Sequence, residues 1–419
     1  MRLLWFEVGR EPSAYGSGGE PVGGWQDSLE RIVRTIPEIE LTIVFFSKNN
    51  SEVKIVDGVT YIPIYGRWTI KDRVFHKYWD VYAKKILPDS IRIVEEYKPD
   101  LIHIFGTEWP WGQIAAHTDV PIVIHIMGSI VPFNNSYYPP NYSFINELCR
   151  NWKKPIRLIH IWRERRSRKN NEQWERKIWS LVSHYMGRTQ WDESLSRIMH
   201  PGRHYFHVEE ALREDFLSGE NRWKLSPDKK LRLISTGCNS FRKGLDMMLK
   251  VAKILMSTGI DFEWQLAGLI PENVRKIVES QEGARFEECH IRVLGFKEPK
   301  ELMSILCSST IYVHTAYMEN SPNSICEAQC LGLPVVSTNV GGISSLVRHN
   351  VDGFLVAAND PWQMADAICE LFNDIDRMKF YSENSRSFAL ARHNDENIKK
   401  QLMDCYRQII SASTMNKGE

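Results

Sequence analysis

The chain has 419 residues, 43% of them hydrophobic and 25% charged, with 53 basic side chains against 52 acidic ones. That length and composition fit a globular protein of two domains, and a formal net charge of +1 gives no support to nucleic acid as a partner. Eight cysteines without a Cys-x-x-Cys pair, most in apolar surroundings as at Cys326, Cys330 and Cys369, point to reduced, buried thiols in a cytoplasmic protein.

The first residues, Met1 to Val8, form too short an apolar run to be a signal peptide, and no later run is long enough to span a bilayer. Apolar runs at Leu3–Val8, Leu41–Phe46, Leu101–Gly106, Pro121–Met127 and His184–Arg188 predict central strands. Leu29, Ile32, Val33 and Ile36 recur at helical spacing, so Trp25–Ile36 is expected to be the first crossover helix. Ser218–Lys230, polar and carrying Ser-Gly and Ser-Pro steps, predicts a linker. A second strand series follows at Leu231–Gly237, Phe262–Gly268, Ile291–Phe296, Ile311–Thr315, Pro334–Thr338 and Gly353–Val356. Asp360-Pro361 reads as an N-cap and first-turn proline opening a helix to Leu371, and Glu396–Ile410 predicts a terminal helix. The alternation implies an α/β protein with two parallel-sheet domains, residues 1–217 and 231–389, joined by 218–230 and followed by a segment 390–419.

The chemistry concentrates between Tyr317 and Ser337. A strand ends at His314, a loop carries Glu319, and a helix opening through Ser321, Pro322, Asn323 and Ser324 carries Glu327 about two turns in. Strand C-termini in open α/β sheets are where ligands bind, and a helix start offers unpaired N–H groups suited to phosphate. Glu319 and Glu327 are then placed to accept hydrogen bonds from hydroxyl-rich groups on either side of a diphosphate, which describes a sugar nucleotide.

Two Glu residues separated by seven others, followed by Gly332, Pro334, Val335-Val336 and the loop Thr338-Asn339-Val340-Gly341-Gly342, resemble the retaining glycosyltransferases of family four, which have the GT-B fold. The resemblance implies two Rossmann-like domains facing a central cleft, an N-terminal one for acceptor and a C-terminal one for donor, with the terminal helix returning to the N-terminal domain. It also implies transfer with retention from a nucleoside-diphosphate sugar to a glycan or lipid-linked glycan in surface polysaccharide synthesis.

After the strand Leu231–Gly237, Cys238-Asn239-Ser240-Phe241-Arg242-Lys243-Gly244 opens a helix, and two cations beside a glycine suit a departing diphosphate. The family places Arg and Lys there. Lys243 matches, whereas Cys238 stands at the Arg position and Arg242 is the substitute. Gly237 and Asn239 join the donor set, as do Gly23 and Gly24, which resemble the family's first glycine loop within Gly16–Trp25. On the acceptor side, Glu108 and Trp109 follow a strand end with the look of the bacterial polysaccharide enzymes, and Arg188 ends another strand, where an ion pair with Asp192 is the bland alternative. Many family members have His immediately before Gly128. Here Met127 occupies that place and His125 lies two residues earlier, as readily a core histidine as a ligand contact.

No Asp-x-Asp and no His cluster with ligand spacing falls within these candidate site segments, so the expected chemistry needs no metal and no cofactor beyond the donor substrate. Residues 151–177 are basic and aromatic, from Trp152 through Arg163, Arg165 and Arg166 to Trp174 and Arg176, which suits either a solvated face or contact with anionic lipid at the inner membrane face. Two other functions fit the same fold: a sugar-nucleotide epimerase and a non-catalytic scaffold.

Overall fold

The computed structural model describes residues 1–9, 11–17, 24–47, 52–66, 78–219, 221–226 and 230–416. The chain divides into two compact units. Unit 1 comprises Met1–Val131, Trp162–Arg213 and His393–Glu419, and unit 2 comprises Pro132–Ile161 and Glu214–Arg392.

Unit 1 is built on eight strands: β1 (Arg2–Phe6), β2 (Glu40–Ser47), β3 (Lys54–Val56), β4 (Val59–Tyr65), β5 (Leu101–Phe105), β6 (Ile122–His125), β7 (His184–Gly187) and β8 (His204–His207). Their order is β3-β4-β2-β1-β5-β6-β7-β8, parallel except for the β3–β4 hairpin. β1, β2, β5 and β6 are buried along most of their length, as strands covered on both faces must be. Helix α1 (Trp25–Arg34) is the first crossover, burying Leu29, Ile32 and Val33. Helix α2 (Pro155–Leu181) begins in the unit 2 segment and runs into unit 1.

Unit 2 holds β9 (Leu231–Thr236), β10 (Phe262–Ala267), β11 (Ile291–Gly295), β12 (Ile311–His314), β13 (Val335–Thr338) and β14 (Gly353–Val356) in the all-parallel order β11-β10-β9-β12-β13-β14. Helices α3 (Leu245–Thr258), α4 (Asn323–Leu331), α5 (Pro361–Asn373) and α6 (Ile375–Arg392) belong to this unit. The order reverses between β9 and β12, the crevice where such sheets bind ligands.

The last helix, α7 (Asp395–Asn416), belongs to unit 1, as the family resemblance implies. Ile398, Leu402, Cys405, Tyr406 and Ile409 are buried in that unit's core. His103 Nδ1 and the Tyr406 hydroxyl stand 2.6 Å apart, and Arg31 holds Asp395 at 2.7 Å.

Three sequence expectations need correction. Residues 132–161 join unit 2 rather than the N-terminal domain, because Tyr137, Tyr138 and Tyr142 pack on Phe241 and Tyr142 donates to Glu282. The 218–230 segment is no free linker over its described part: Trp223 is buried, its indole N–H donating to the Ser309 carbonyl and its amide to that of Leu331. Gly16 and Ser17, the first two residues of the expected glycine loop Gly16–Trp25, instead close a short helix, Ser13–Ser17, with Tyr15 buried against Phe45. Gly23 lies outside the described residues.

Candidate donor and acceptor sites

In unit 2 the chain leaves β9 at Gly237, turns with φ near 70°, and reaches the single turn Phe241–Lys243 before α3. Gly237 and Asn239 are exposed there. Gly244 follows at φ 75°, and a Cβ on it would meet the Thr315 carbonyl oxygen at 1.9 Å. Only glycine lets the two strand-end loops come this close. They are stitched together: Thr315 Oγ1 donates to the Lys243 carbonyl (3.1 Å), the Tyr317 amide to that of Arg242 (2.8 Å) and the Tyr317 hydroxyl to Asp246 (2.7 Å).

That stitching carries the loop to Glu319, whose backbone is fixed from the other side. Gly342 donates its amide to the Glu319 carbonyl (3.1 Å), and a Cβ on Gly341, at φ 53°, would meet the same oxygen at 1.8 Å. The Gly341-Gly342 pair is thus the wall that sets where Glu319 stands. Its carboxylate is buried, forms an ion pair with Lys243 and lies 3.6 Å from Arg242. Burial raises the Glu319 pKa, but Lys243 and Arg242 outweigh it and hold the group below its ordinary range. Arg242 also donates to the Met318 carbonyl and lies with its guanidinium 4.1 Å from the Phe133 ring centre. Cys238 is buried, its thiol pushed up to about 12 mainly by desolvation, so it brings no charge.

Helix α4 opens at Asn323 with Pro322 as its N-cap, a residue with no side-chain acceptor to offer. The first-turn amides of Asn323 and Ser324 therefore lack an intrahelical partner, at the positive end of the helix dipole. Ser321 and Pro322 are buried beneath that turn. Glu327 is buried four residues into α4, just over one turn rather than two, because the helix begins at Asn323.

No sequence pattern singles out His314, which is buried at the end of β12 with neither ring nitrogen hydrogen-bonded among the described residues. Desolvation lowers its pKa to about 4, so it is a neutral imidazole beside Glu319, Lys243 and Arg242. Leu269 and Phe296, 72% and 66% exposed, follow the adjacent strands β10 and β11. An apolar residue continuing a strand pattern past its glycine is their only sequence signal.

In unit 1, β5 ends at Gly106 (φ 79°) and Thr107, which donates to Glu175 (2.7 Å). Glu175 also accepts the amides of Ile130 (3.0 Å) and Val131 (3.2 Å), a buried carboxylate hidden in the basic run. Glu108 and Trp109 are half-buried. Desolvation raises the Glu108 carboxyl from 4.5 to about 7, with Glu175 and Asp192 adding to it against Arg188. Met127 is half-buried, and Gly24 is exposed as the N-cap of α1.

His125 and Arg188 are not open to a ligand. His125 is fully buried between Trp25 and His103, at centroid distances of 5.0 and 5.5 Å, and desolvation drives its pKa well below normal. Arg188 is buried in an ion pair with Glu210 at 2.7 Å and stacks 4.8 Å from Trp25; Asp192 accepts its backbone amide, not its guanidinium. The 151–177 patch is also smaller than its sequence suggests. Trp174 donates to Asp80, Lys177 covers its ring, and Arg157, Arg168 and Arg176 each pair with a Glu. Trp152, Ile156, Ile159 and Trp162 remain exposed, among Lys153, Lys154, Arg163 and Arg166.

Two parallel-sheet units with these strand-end loops define a GT-B protein. Residues 218–388 match the model of the family "Glycosyl transferases group 1", and that segment is a domain of this family. The chain is 34% identical to D-inositol 3-phosphate glycosyltransferase of Corynebacterium urealyticum over 28% of each chain. It is 29% identical to amylovoran biosynthesis glycosyltransferase AmsK of Erwinia amylovora, over 34% of this chain and 36% of that one. The matches span between 28% and 47% of the length of the first curated relatives. Among solved structures, sucrose-phosphate synthase of Thermosynechococcus elongatus superposes with a TM-score of 0.73 at 14% identity, over 98% of this chain and 99% of that one. HepE of Anabaena, solved in complex with UDP-glucose, gives 0.67 at 14% identity, over 97% and 100%.

Proposed function

We propose that the protein is a glycosyltransferase moving a hexosyl group from a nucleoside-diphosphate sugar to a glycan or lipid-linked glycan, with retention, in polysaccharide biosynthesis on the cytoplasmic side. The observation that carries this reading is the convergence of Lys243, Arg242, Glu319 and the open start of α4 at the reversal between β9 and β12. Lys243, Arg242 and the amides of Asn323 and Ser324 would take the charge that develops on the leaving diphosphate. Glu319 would orient the donor sugar, Glu327 the ribose, and Leu269 and Phe296 would offer apolar surface to the base. These fixed charges supply the positive field without a metal ion. HepE in complex with UDP-glucose favours uridine as the base. Glu108, Trp109, Met127 and Gly24 would line the acceptor side, with His125 and Arg188 holding their backbone in place.

Ligand-shift melting against a panel of nucleotide sugars tests the donor reading, since a binder at about a hundredfold over its Kd adds ~2.7 kcal/mol of stability. Turnover is then followed with and without acceptor. Consumption of the donor only when a glycan is present supports transfer, conversion without acceptor supports an epimerase, and no nucleotide binding supports a scaffold.

The exposed Trp152, Ile156, Ile159 and Trp162 among basic side chains support peripheral contact with anionic lipid. Among the described residues no helix is long and apolar enough to cross a membrane. Co-sedimentation with anionic vesicles at low salt, lost at high salt and in a Trp152→Ser/Trp162→Ser/Arg163→Glu/Arg166→Glu variant, is the expected result. Absence from the pellet at low salt rejects the contact.

A further inference from the structure

We propose that the groove bounded by β14, α5 and α6 binds a neutral oligosaccharide, at a place distinct from the donor residues. The cavity measures about 690 Å³ and lies wholly within unit 2, inside the ~300–1,000 Å³ of small-ligand sites. Its wall is aromatic. Phe354 and Tyr381 meet edge to face at 5.5 Å, and Phe380, 6.2 Å from Tyr381, is 52% exposed. An exposed ring beside a buried pair is a platform for the C–H face of a sugar, an amphipathic surface that water solvates poorly.

The polar lining matches hydroxyls, which both donate and accept. His349 accepts the Leu355 amide at Nδ1 (3.1 Å), so the neutral ring carries its proton on Nε2 as a donor. Gln363 accepts the Ala357 amide through Oε1 (2.8 Å), which leaves its NH₂ group as a donor. Asp366 and Asp376 supply acceptors and hold no ion pair among the described residues, whereas Glu370 and Asp374 are engaged by Arg377. Four carboxylates against one guanidinium repel phosphate, so a nucleotide, a phospholipid and an acidic glycan are all disfavoured. A cationic peptide would find acceptors but no use for the donors. Under the transferase reading, on which this clause alone rests, the groove would retain the glycan being extended between transfers.

The test uses the full chain on an array of neutral and acidic oligosaccharides, with an oligolysine peptide and UDP titrated in parallel. The variants are Phe380→Ala and Asp376→Asn, neither of which belongs to the donor or acceptor sets. Binding of a neutral glycan, weakened about tenfold or more by Phe380→Ala and reduced by Asp376→Asn, with melting temperature and UDP affinity unchanged, is the expected result. Absence of any neutral glycan whose binding responds to both variants overturns the proposal. So does oligolysine as the Phe380-sensitive ligand. Failure of UDP to bind would count against the donor reading and leave the glycan result standing.

Discussion

Lys243 and Glu319 neutralise each other at the strand-end crevice of unit 2; under the proposed reading they would meet different parts of a donor, and two substitutions separate them. Lys243→Ala should weaken UDP binding and lower turnover by ~10²–10³, the usual cost of losing one fixed donor at a developing charge. Glu319→Gln frees both cations from a carboxylate, so UDP affinity should hold or rise while turnover falls by a similar factor. Titration calorimetry with UDP alongside initial rates decides this, and near-normal turnover in either variant rejects the assignment. Glu108 makes a separate prediction. Its folded pKa is raised to about 7 from 4.5, so the folded state binds the extra proton between these values and stability falls as pH rises through that window. Glu108→Gln removes the penalty. It should match the parent near pH 4.5 and exceed it above pH 7 by on the order of 1–3 kcal/mol, read from urea unfolding at both ends. An equal difference at the two pH values would contradict the shift.

At the scale of elements, the two loops owe their geometry to glycines that accept positive φ against neighbouring carbonyls. Gly244→Ala would drive a Cβ into the Thr315 carbonyl and pull the Lys243 turn from Tyr317 and Thr315. The left-handed backbone alone costs ~1–2 kcal/mol for an L-residue, and the clash adds to it. The expected outcome is a lower melting temperature with loss of UDP binding; an unchanged melting temperature would mean that the loops are not locked together. This motif was legible in advance because Lys243-Gly244, Glu319 and Glu327 sit at fixed offsets from apolar strand runs. Elements without such offsets were not. β4 carries Pro63 within its seven residues, β8 is only four residues, two aromatic side chains between two His, and both went unpredicted. Glu175 was hidden for a different reason: in a run of Arg and Lys a single Glu looks like an ion-pair partner, and only the fold turns it toward Thr107 and the Ile130 amide. His314 ends an apolar strand, where one imidazole has no spacing partner to mark it.

For the molecule as a whole, chain order and compact units disagree at two segments. Residues 132–161, read as N-terminal, belong to unit 2, and 393–419, at the far end of the sequence, complete unit 1. Long-range packing of this kind leaves no local periodicity, although the apolar face of α7 is periodic and its existence was predictable. That face covers unit 1 core residues that nothing else in the sequence order supplies. Tyr406 is fully buried, with its hydroxyl 2.6 Å from His103 Nδ1. Ending the chain after Arg392 removes six buried apolar side chains, Ile398, Leu402, Met403, Cys405, Tyr406 and Ile409. Each fully buried large side chain is worth ~1.5–3 kcal/mol, so their sum is comparable to the ~5–15 kcal/mol that holds a whole domain folded. Unit 2 keeps its six strands and α3 to α6 intact under that truncation. Hydrogen exchange should therefore show β1, β2, β5 and β6 losing protection in the truncated chain while β9, β10, β12 and β13 keep theirs. Retained protection in β1 and β5 would show that unit 1 folds without its returning helix, and loss in both units together would show that the two do not unfold independently.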